Sequence, residues 1–445
     1  MNLIRKLKKT YHIFQSEVAA IKLGQPAKKL KIIAVTGTSG KSTTATMIYH
    51  ILKHAGLKVG LISTVEAVAG NKNIDTGFHV TTPDPIQLQK ILREMKNKEM
   101  EYVVLETSSH SLDQGRLGFL KVDYAVYTNI KRDHLDWHKT WENYAGAKAL
   151  LINKLKSDGK VILNKDDLDS YDFLRNYYYK DAKNPLNFIE YSKRFDAADT
   201  DEDYTGLEFT FEKQRFQLPV IGFYNIDNAL AAIKTAQSLG LNLKTIADAF
   251  KDFKGVKGRM QIMQTEPFTV IIDFAHNADS LVQSLESVRN LKSVKRIISV
   301  FGSAGLRDVE KRFAMGEAAA TLSDVVVVTS EDPRTESLYE INSEIIRGAK
   351  RSGAKLVKRF AVHKEYLDFI KEKDYIDTKD EVEIYSFDEE TVNSRFDAID
   401  FAIRIAKPGD VVITEGKGHE KSLCFGKTEY PFTDQEAVNK ALKNL

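Results

Sequence analysis

The sequence predicts two α/β domains, each built on a mostly parallel sheet covered by helices on both faces. Three observations carry this expectation. The 445 residues exceed one domain of ordinary size, roughly 100–200 residues. Short β-branched runs alternate with helical periodicity along most of the chain, the pattern of strand–helix–strand units. The stretch Gly255-Val256-Lys257-Gly258-Arg259 separates two such series and has the composition of a hinge. The expected division is 1–30, a basic helix and linker; 31–254, a first domain; and 255–445, a second, with a cleft between the two domains.

Taken in order, the Lys- and Arg-rich opening segment reads as an amphipathic helix packed on the main body, with a linker at Gly24-Gln25-Pro26. Lys31-Ile32-Ile33-Ala34-Val35 predicts a buried strand, and Met47, Ile48, Ile51 and Leu52 fall on one face of a helix over Thr43–His54. Further strands are expected at Val59–Ile62, Tyr102–Leu105, Tyr124–Tyr127 and Val161–Leu163, with helices at Ile86–Lys96 and Trp141–Leu155. The second series has strands at Thr269–Asp273, Arg296–Val300, Asp324–Val328 and Asp410–Thr414, and helices near 280–291, 309–321 and 339–351. The acidic stretches 195–204 and 372–390 read as surface excursions.

Composition excludes several classes. Hydrophobic residues at 42% and charged residues at 29% describe a globular chain rather than a disordered one. Lys plus Arg is 65 against 62 Asp plus Glu, a net charge of +3, too near neutral for general nucleic-acid coating. The single cysteine, Cys424, excludes an internal disulfide and a cysteine zinc cluster. No apolar run approaches the roughly 18–20 residues of a bilayer span. Gln15, Ser16 and Glu17 interrupt the opening segment before a signal-peptide core forms. The expectation is a cytoplasmic monomer with small-molecule partners, no nucleic acid and no membrane insertion.

The strongest local signal is Thr36-Gly37-Thr38-Ser39-Gly40-Lys41-Ser42-Thr43, between a strand and a helix. It is a shortened phosphate loop. Its glycines let backbone N–H groups face phosphate oxygens, Lys41 neutralises the β/γ charge, and Ser42 can hold Mg²⁺. Glu106 ends an apolar strand, where it serves either as a metal-binding carboxylate or as a solvated strand end. Asn129, Asp133 and His134 follow another strand and suit a second metal or a phosphate.

These residues, with Thr81-Thr82-Pro83-Asp84, Gln114-Gly115-Arg116 and Arg132-Asp133-His134-Leu135-Asp136, resemble the Mur ligases of the MurE type. The resemblance continues through Tyr144-Ala145-Gly146-Ala147-Lys148, Asn225-Ile226-Asp227-Asn228 and Gly255–Arg259. It then takes in Asp273-Phe274-Ala275-His276-Asn277, Gly305-Leu306-Arg307-Asp308 and Gly416-Lys417-Gly418-His419-Glu420, about residues 31–425 in all. It implies a P-loop ATPase-like central domain and a Rossmann-like C-terminal domain. It further implies a ligase that activates a glutamyl carboxylate with ATP as an acyl phosphate, then joins it to a diamino acid. Ser42 and Glu106 would hold a first Mg²⁺ and His134 a second. Lys148 would be carbamylated, since a plain ammonium repels the metal. From the residue alone, Lys148 reads as a helix-surface lysine.

Asn225 and Asn228 match adenine-binding positions, with a helix-capping role as the alternative. Arg259, Asp273 and His276 match positions at the nucleotide's phosphate or ribose. Thr81, Thr82, Ser108, Gln114 and Arg116 match contacts to the sugar–peptide acceptor. Arg307, Glu331, Asp332, Arg334, Gly416 and Glu420 match the diamino-acid pocket. Arg334 favours meso-diaminopimelate over L-lysine, because a guanidinium grips the distal carboxylate. Two departures stand out. Glu331-Asp332 replaces the usual Asp-Asn before Pro-Arg, and the extra carboxylate can meet an amine or offset Arg334. Only about thirty residues precede the phosphate loop, where the family carries a uridine-binding domain of roughly a hundred residues. An acceptor without uridine, another γ-glutamyl peptide and a non-catalytic ATP-binding scaffold therefore stand as alternatives. The related folylpolyglutamate branch leaves Gly416–Glu420 unexplained.

Overall fold

The computed structural model describes residues 3–70, 72–74, 81–181, 187–372 and 381–445. The chain divides into two compact units. Met1–Asp201, Gly206–Pro219 and Phe223–Lys254 form the first, and Glu202–Thr205, Val220–Gly222 and Gly255–Leu445 the second.

An eight-stranded sheet organises the first unit. Its strands are β1 (Lys31–Thr36), β2 (Val59–Ile62), β3 (Ala67–Ala69), β4 (Lys72–Ile74), β5 (Tyr102–Glu106), β6 (Val122–Tyr127), β7 (Leu155–Asn164) and β8 (Asn187–Tyr191). Their spatial order is β4-β3-β2-β5-β1-β6-β7-β8. The strands pair in parallel from β2 to β8, and β2, β3 and β4 pair antiparallel. Ile32, Ile33, Ala34 and Val35 of β1 are fully buried, as a strand covered on both faces requires. Val35 stands beside Glu106 and Thr36 beside Tyr127. The segments after β1, β5 and β6 thus leave the sheet together at its carboxyl edge, where open α/β sheets bind ligands.

Local chemistry marks the helix ends. Asp84 accepts from the N–H groups of Ile86 and Gln87 to cap Pro85–Asn97, and Thr140 caps Trp141–Ala149 through Asn143. Leu88, Ile91, Leu92 and Met95 of the former sink into the core, each stabilising by about 1.5–3 kcal/mol. The opening helix, Leu3–Lys22, packs on this unit: Ser16 and Ala19 are buried, and Glu17 accepts from the Phe119 N–H at 2.7 Å. The helix expected to reach Leu155 stops at Ala149, because a 3-10 turn at Ile152–Lys154 feeds β7, which starts well before the expected Val161. The stretch 195–204 contains β9 (Ala198–Asp203), a largely exposed strand. It edges a three-stranded sheet with β10 (Gly206–Phe211) and β11 (Gln214–Leu218).

The second unit contains β12 (Gln261–Gln264), β13 (Thr269–Ile272), β14 (Ile297–Phe301), β15 (Val325–Val328), β16 (Lys355–Phe360), β17 (Glu383–Phe387) and β18 (Val411–Thr414). Their order is β12-β13-β18-β14-β15-β17-β16, and β12–β13 is the antiparallel pair. A hairpin of β19 (Ser422–Phe425) and β20 (Thr428–Pro431) follows. The surface excursion expected at 372–390 is corrected: β17 lies between β15 and β16 with Ile384 and Tyr385 fully buried, because parallel pairing on both edges makes it an interior strand. Residues 373–380 of that stretch lie outside the described residues.

Candidate active site

Two glycines permit the turn after β1. A Cβ at Gly37 (φ 157°) would lie 1.8 Å from Thr128 Oγ1, and one at Gly40 (φ 81°) would lie 2.1 Å from Asn228 Oδ1. Neither position admits a side chain. Gly40 caps the helix Lys41–His54, so the first N–H groups of that helix open onto the loop. Asn129 braces the loop tip from both sides, accepting from the Ser39 N–H at 3.0 Å and donating to its carbonyl at 3.1 Å. Thr38 Oγ1 accepts from the Lys131 N–H at 2.9 Å. Lys41 donates to the Thr38 carbonyl at 2.8 Å, and Thr43 is half-buried one position beyond Ser42.

Ser42 Oγ donates to Glu106 Oε1 at 3.1 Å. Glu106 also accepts from Thr64, at 2.9 Å from its N–H and 3.0 Å from its hydroxyl. A hydroxyl and a fixed carboxylate are hard oxygen donors suited to Mg²⁺. Lys148 is not a surface residue. It is 1% exposed, donates to the Gly37 carbonyl at 2.5 Å and sits 4.6 Å above the Tyr144 ring. Burial, reinforced by the Lys41 charge, holds its amine well below the usual lysine range. The helix Trp141–Ala149 therefore offers the phosphate loop a buried amine whose burial favours the neutral form.

His134 adopts a left-handed φ of 52° at the start of the short helix Leu135–His138, with Nε2 3.6 Å from Asp133 Oδ2. Its ring meets His110 at 4.8 Å between centroids, and His110 meets His138 at 5.5 Å. His110, His138 and Tyr144 thus join His134 in an aromatic cluster that the sequence reading did not assemble. Thr82 is buried and donates to the Glu106 carbonyl at 3.2 Å, while Thr81 beside it is half-buried. Ser108 caps the helix Ser109–Asp113. Arg116 donates to Gln114 Oε1 at 3.0 Å and to the Thr82 carbonyl at 2.9 Å. Asn225 and Asn228 are both buried. Asn228 donates to Asn225 Oδ1 at 2.8 Å and accepts from Thr44 at 3.2 Å, so the pair abuts the helix behind the phosphate loop.

The second unit holds two groupings. Asp273 accepts from the N–H groups of Met260 (2.7 Å) and Ala275 (2.9 Å), and burial raises its carboxyl pKa against the pull of Arg259. The Arg259 guanidinium lies 4.3 Å from the Phe274 ring centre, and the His276 ring lies 4.7 Å from the same ring. In the other grouping Lys417, fully buried, binds Asp332 at 2.8 Å and Glu420 at 2.6 Å. Asp332 is thus paired with Lys417. Arg334 donates to the Gly305 carbonyl at 2.7 Å. Glu331 is buried with Oε2 lacking a hydrogen-bond partner. Burial pushes its carboxyl up to about 7, opposed by Lys311 and Lys417. Gly416 stands against it: a Cβ there would be 3.3 Å from Glu331 Cγ. Arg307 is exposed, and the structure gives it no place in this grouping. Thr64, Lys311 and Lys417 were not singled out from the sequence, although Lys417 stands inside the motif at 416–420.

Residues 35–236 match the Mur ligase middle domain, and residues 258–418 match the Mur ligase, glutamate ligase domain. A Clostridium botulinum UDP-N-acetylmuramoyl-L-alanyl-D-glutamate–2,6-diaminopimelate ligase is 34% identical over 430 residues, covering 95% of this chain and 80% of the relative. A Borreliella burgdorferi UDP-N-acetylmuramyl-tripeptide synthetase is 34% identical over 440 residues, covering 97% and 80%. A solved diaminopimelate ligase of the first kind aligns with TM-score 0.61 at 29% identity, covering 93% of this chain and 78% of that one. Mycobacterium tuberculosis folylpolyglutamate synthase shares the fold, with TM-score 0.68 at 15% identity over 92% and 93%. No helix among the described residues is long and apolar enough to cross a membrane.

Proposed function

Because this chain belongs to the Mur ligase family, the ATP-dependent ligases of peptidoglycan-precursor synthesis, we propose that it joins a diamino acid to a muramoyl-dipeptide. The preferred amine is meso-diaminopimelate, and the acceptor is the D-Glu γ-carboxylate of UDP-N-acetylmuramoyl-L-Ala-D-Glu. The observation that carries the reading is the meeting of Lys41, the Ser42–Glu106 pair and the buried Lys148 around one phosphate loop.

The carboxylate oxygen attacks the γ-phosphorus and ADP leaves. The amine nitrogen then attacks the acyl carbon, phosphate leaves, and the nitrogen gives up a proton. Two anions meet in the first step, so positive charge and positioning supply most of the catalysis. Lys41 and the N–H groups of the loop face the phosphates, and Asn225 and Asn228 suit an adenine edge. Ser42 and Glu106 would hold one Mg²⁺, while His134 and Lys148 would reach a second. When bound, the ions neutralise triphosphate charge. The depressed pKa of Lys148 supports its carbamylation: a neutral amine adds to CO₂, loses a proton and becomes an anionic oxygen ligand. Thr81, Thr82, Ser108, Gln114 and Arg116 would seat the acceptor. Arg259, Asp273 and His276 would meet the nucleotide, while Glu331, Arg334, Gly416 and Glu420 would receive the amino acid.

The test supplies purified protein, ATP and Mg²⁺ with UDP-muramoyl-dipeptide or uridine-free muramoyl-dipeptide, across several diamino acids, and reads product mass and phosphate release. The expected product is the UDP-linked tripeptide with diaminopimelate, with phosphate release that needs both acceptor and amine. Release that ignores either one, or a product formed only from the uridine-free acceptor, overturns the reading.

A further inference from the structure

In the second unit three side chains outside the proposed active site converge at the carboxyl ends of β16 and β17. These two strands pair in parallel, with Phe360 beside Phe387. His363 lies in the turn after β16, Glu389 just past β17, and Asp397 in the helix Asn393–Ile405. One ligand atom from each falls within 4.8 Å of the other two.

The hydrogen-bonding account of this cluster is incomplete. Asp397 is 1% exposed, and its Oδ2 is satisfied by the His363 ring at 2.9 Å and the Lys364 N–H at 2.8 Å. Its Oδ1 is buried and has no partner. Glu389 accepts from Thr391 Oγ1 at 2.9 Å through Oε1, while its Oε2 is likewise buried without a partner. Neighbouring cations are committed elsewhere: Arg359 binds Asp388 at 2.8 Å, and Arg404 binds Asp400 at 2.6 Å. Among the described residues no lysine or arginine forms an ion pair with Glu389 or Asp397. Two buried carboxylate oxygens without partners are costly unless a proton or a cation satisfies them. Burial, with the Glu389 charge adding to it, already raises the Asp397 carboxyl.

We propose that His363, Glu389 and Asp397 form a binding site for a divalent transition-metal cation, Zn²⁺ or Mn²⁺. The ion takes both orphaned oxygens and displaces the proton shared by His363 and Asp397. An imidazole with two carboxylates suits these ions, whereas Mg²⁺ favours all-oxygen shells. Two carboxylates and a neutral imidazole carry −2, which a dication balances. His363 also lines a cavity of about 410 Å³. Bound there, the ion ties the loop after β16 to the loop after β17.

The test uses the full chain, stripped with chelator and gel-filtered. Zinc retained after dialysis is measured by mass spectrometry, and melting is followed with and without Zn²⁺, for wild type, Glu389→Gln and His363→Ala. Wild type should retain about one equivalent more zinc than either variant, with a dissociation constant at least roughly tenfold lower. Its melting temperature should rise with Zn²⁺ while the variants' stay flat. Equal zinc content in all three folded proteins, or an equal thermal response, overturns the site.

Discussion

Replacing Lys148 with methionine keeps the reach of the side chain and removes its amine, which separates two effects. The Gly37 carbonyl loses its donor at 2.5 Å, a cost of about 1–3 kcal/mol for a buried acceptor. Against this, burial in the wild-type fold favours the neutral amine where the unfolded chain would protonate it. The sign follows from linkage. The folded pKa lies well below 10.5, so between the two values the unfolded state binds the extra proton, and stability rises with pH. One proton gives a slope of about 1.4 kcal/mol per pH unit, which the variant lacks. Urea denaturation of both proteins in CO₂-free buffer at increasing pH should show the wild type gaining on the variant by that slope between the folded and unfolded values. The variant should stand best, relative to wild type, at the low-pH end of that window. Parallel curves would mean the amine is charged in the fold, and the account of its burial would be wrong. Turnover gives the second reading. Lys148→Ala should lose at least about 1,000-fold in kcat, with partial recovery in formate or acetate, since a small carboxylate replaces the carbamate oxygens. Normal turnover in that variant would remove the carbamate.

Arg334→Ala should cut kcat/KM for diaminopimelate by about 30- to 900-fold. That is the roughly 2–4 kcal/mol lost when one partner of a desolvated charge pair is removed. L-Lysine use should change by less than about fivefold; equal losses for both amines would show that the guanidinium does not meet a distal carboxylate. Glu331, with its carboxyl pushed up to about 7, is protonated below that pH and ionised above it, so amine-dependent turnover should rise through pH 7 in wild type and stay flat in Glu331→Gln. The same raised pKa adds stability below the unfolded value near 4.5 and loses it as pH climbs through about 7, so Glu331→Gln should gain on wild type over that window in denaturant titrations. A common pH profile for the two proteins would exclude Glu331 from the rate.

What could be read in advance follows from how local the information is. Val325–Val328 and Ile297–Phe301 are interior parallel strands, whose near-continuous apolar runs betray them. Lys355–Phe360 is an edge strand carrying three basic residues, and Glu383–Phe387 is short and follows an acidic stretch, so neither has that signature. The phosphate loop was legible because its chemistry is contiguous: glycines, lysine and serine fall within eight residues between a strand and a helix. Lys148 was not, since its helix has alanines and a glycine around it and little periodicity to show which face turns inward. Its burial is decided by β1, a hundred residues earlier. The triad of His110, His134 and His138 likewise depends on two short helices meeting, which spacing along the chain does not encode.

Asp332 shows how a contact partner rewrites a motif. From the sequence, Glu331-Asp332 places two carboxylates before Pro333-Arg334, the extra one free to meet an amine or to offset Arg334. The structure assigns one of them elsewhere: Lys417 holds Asp332 and Glu420 together, and Asp332 also accepts from the Cys424 N–H at 2.9 Å. Glu331 keeps a buried oxygen without a partner. Under the proposed reading Glu331 and Arg334 together match a zwitterionic amino-acid end such as the distal end of diaminopimelate. Lysine carries only the ammonium there and would leave Arg334 on the Gly305 carbonyl. Under the proposed reading, discrimination between the two amines rests on Arg334, while Asp332 is held by Lys417 and the Cys424 N–H.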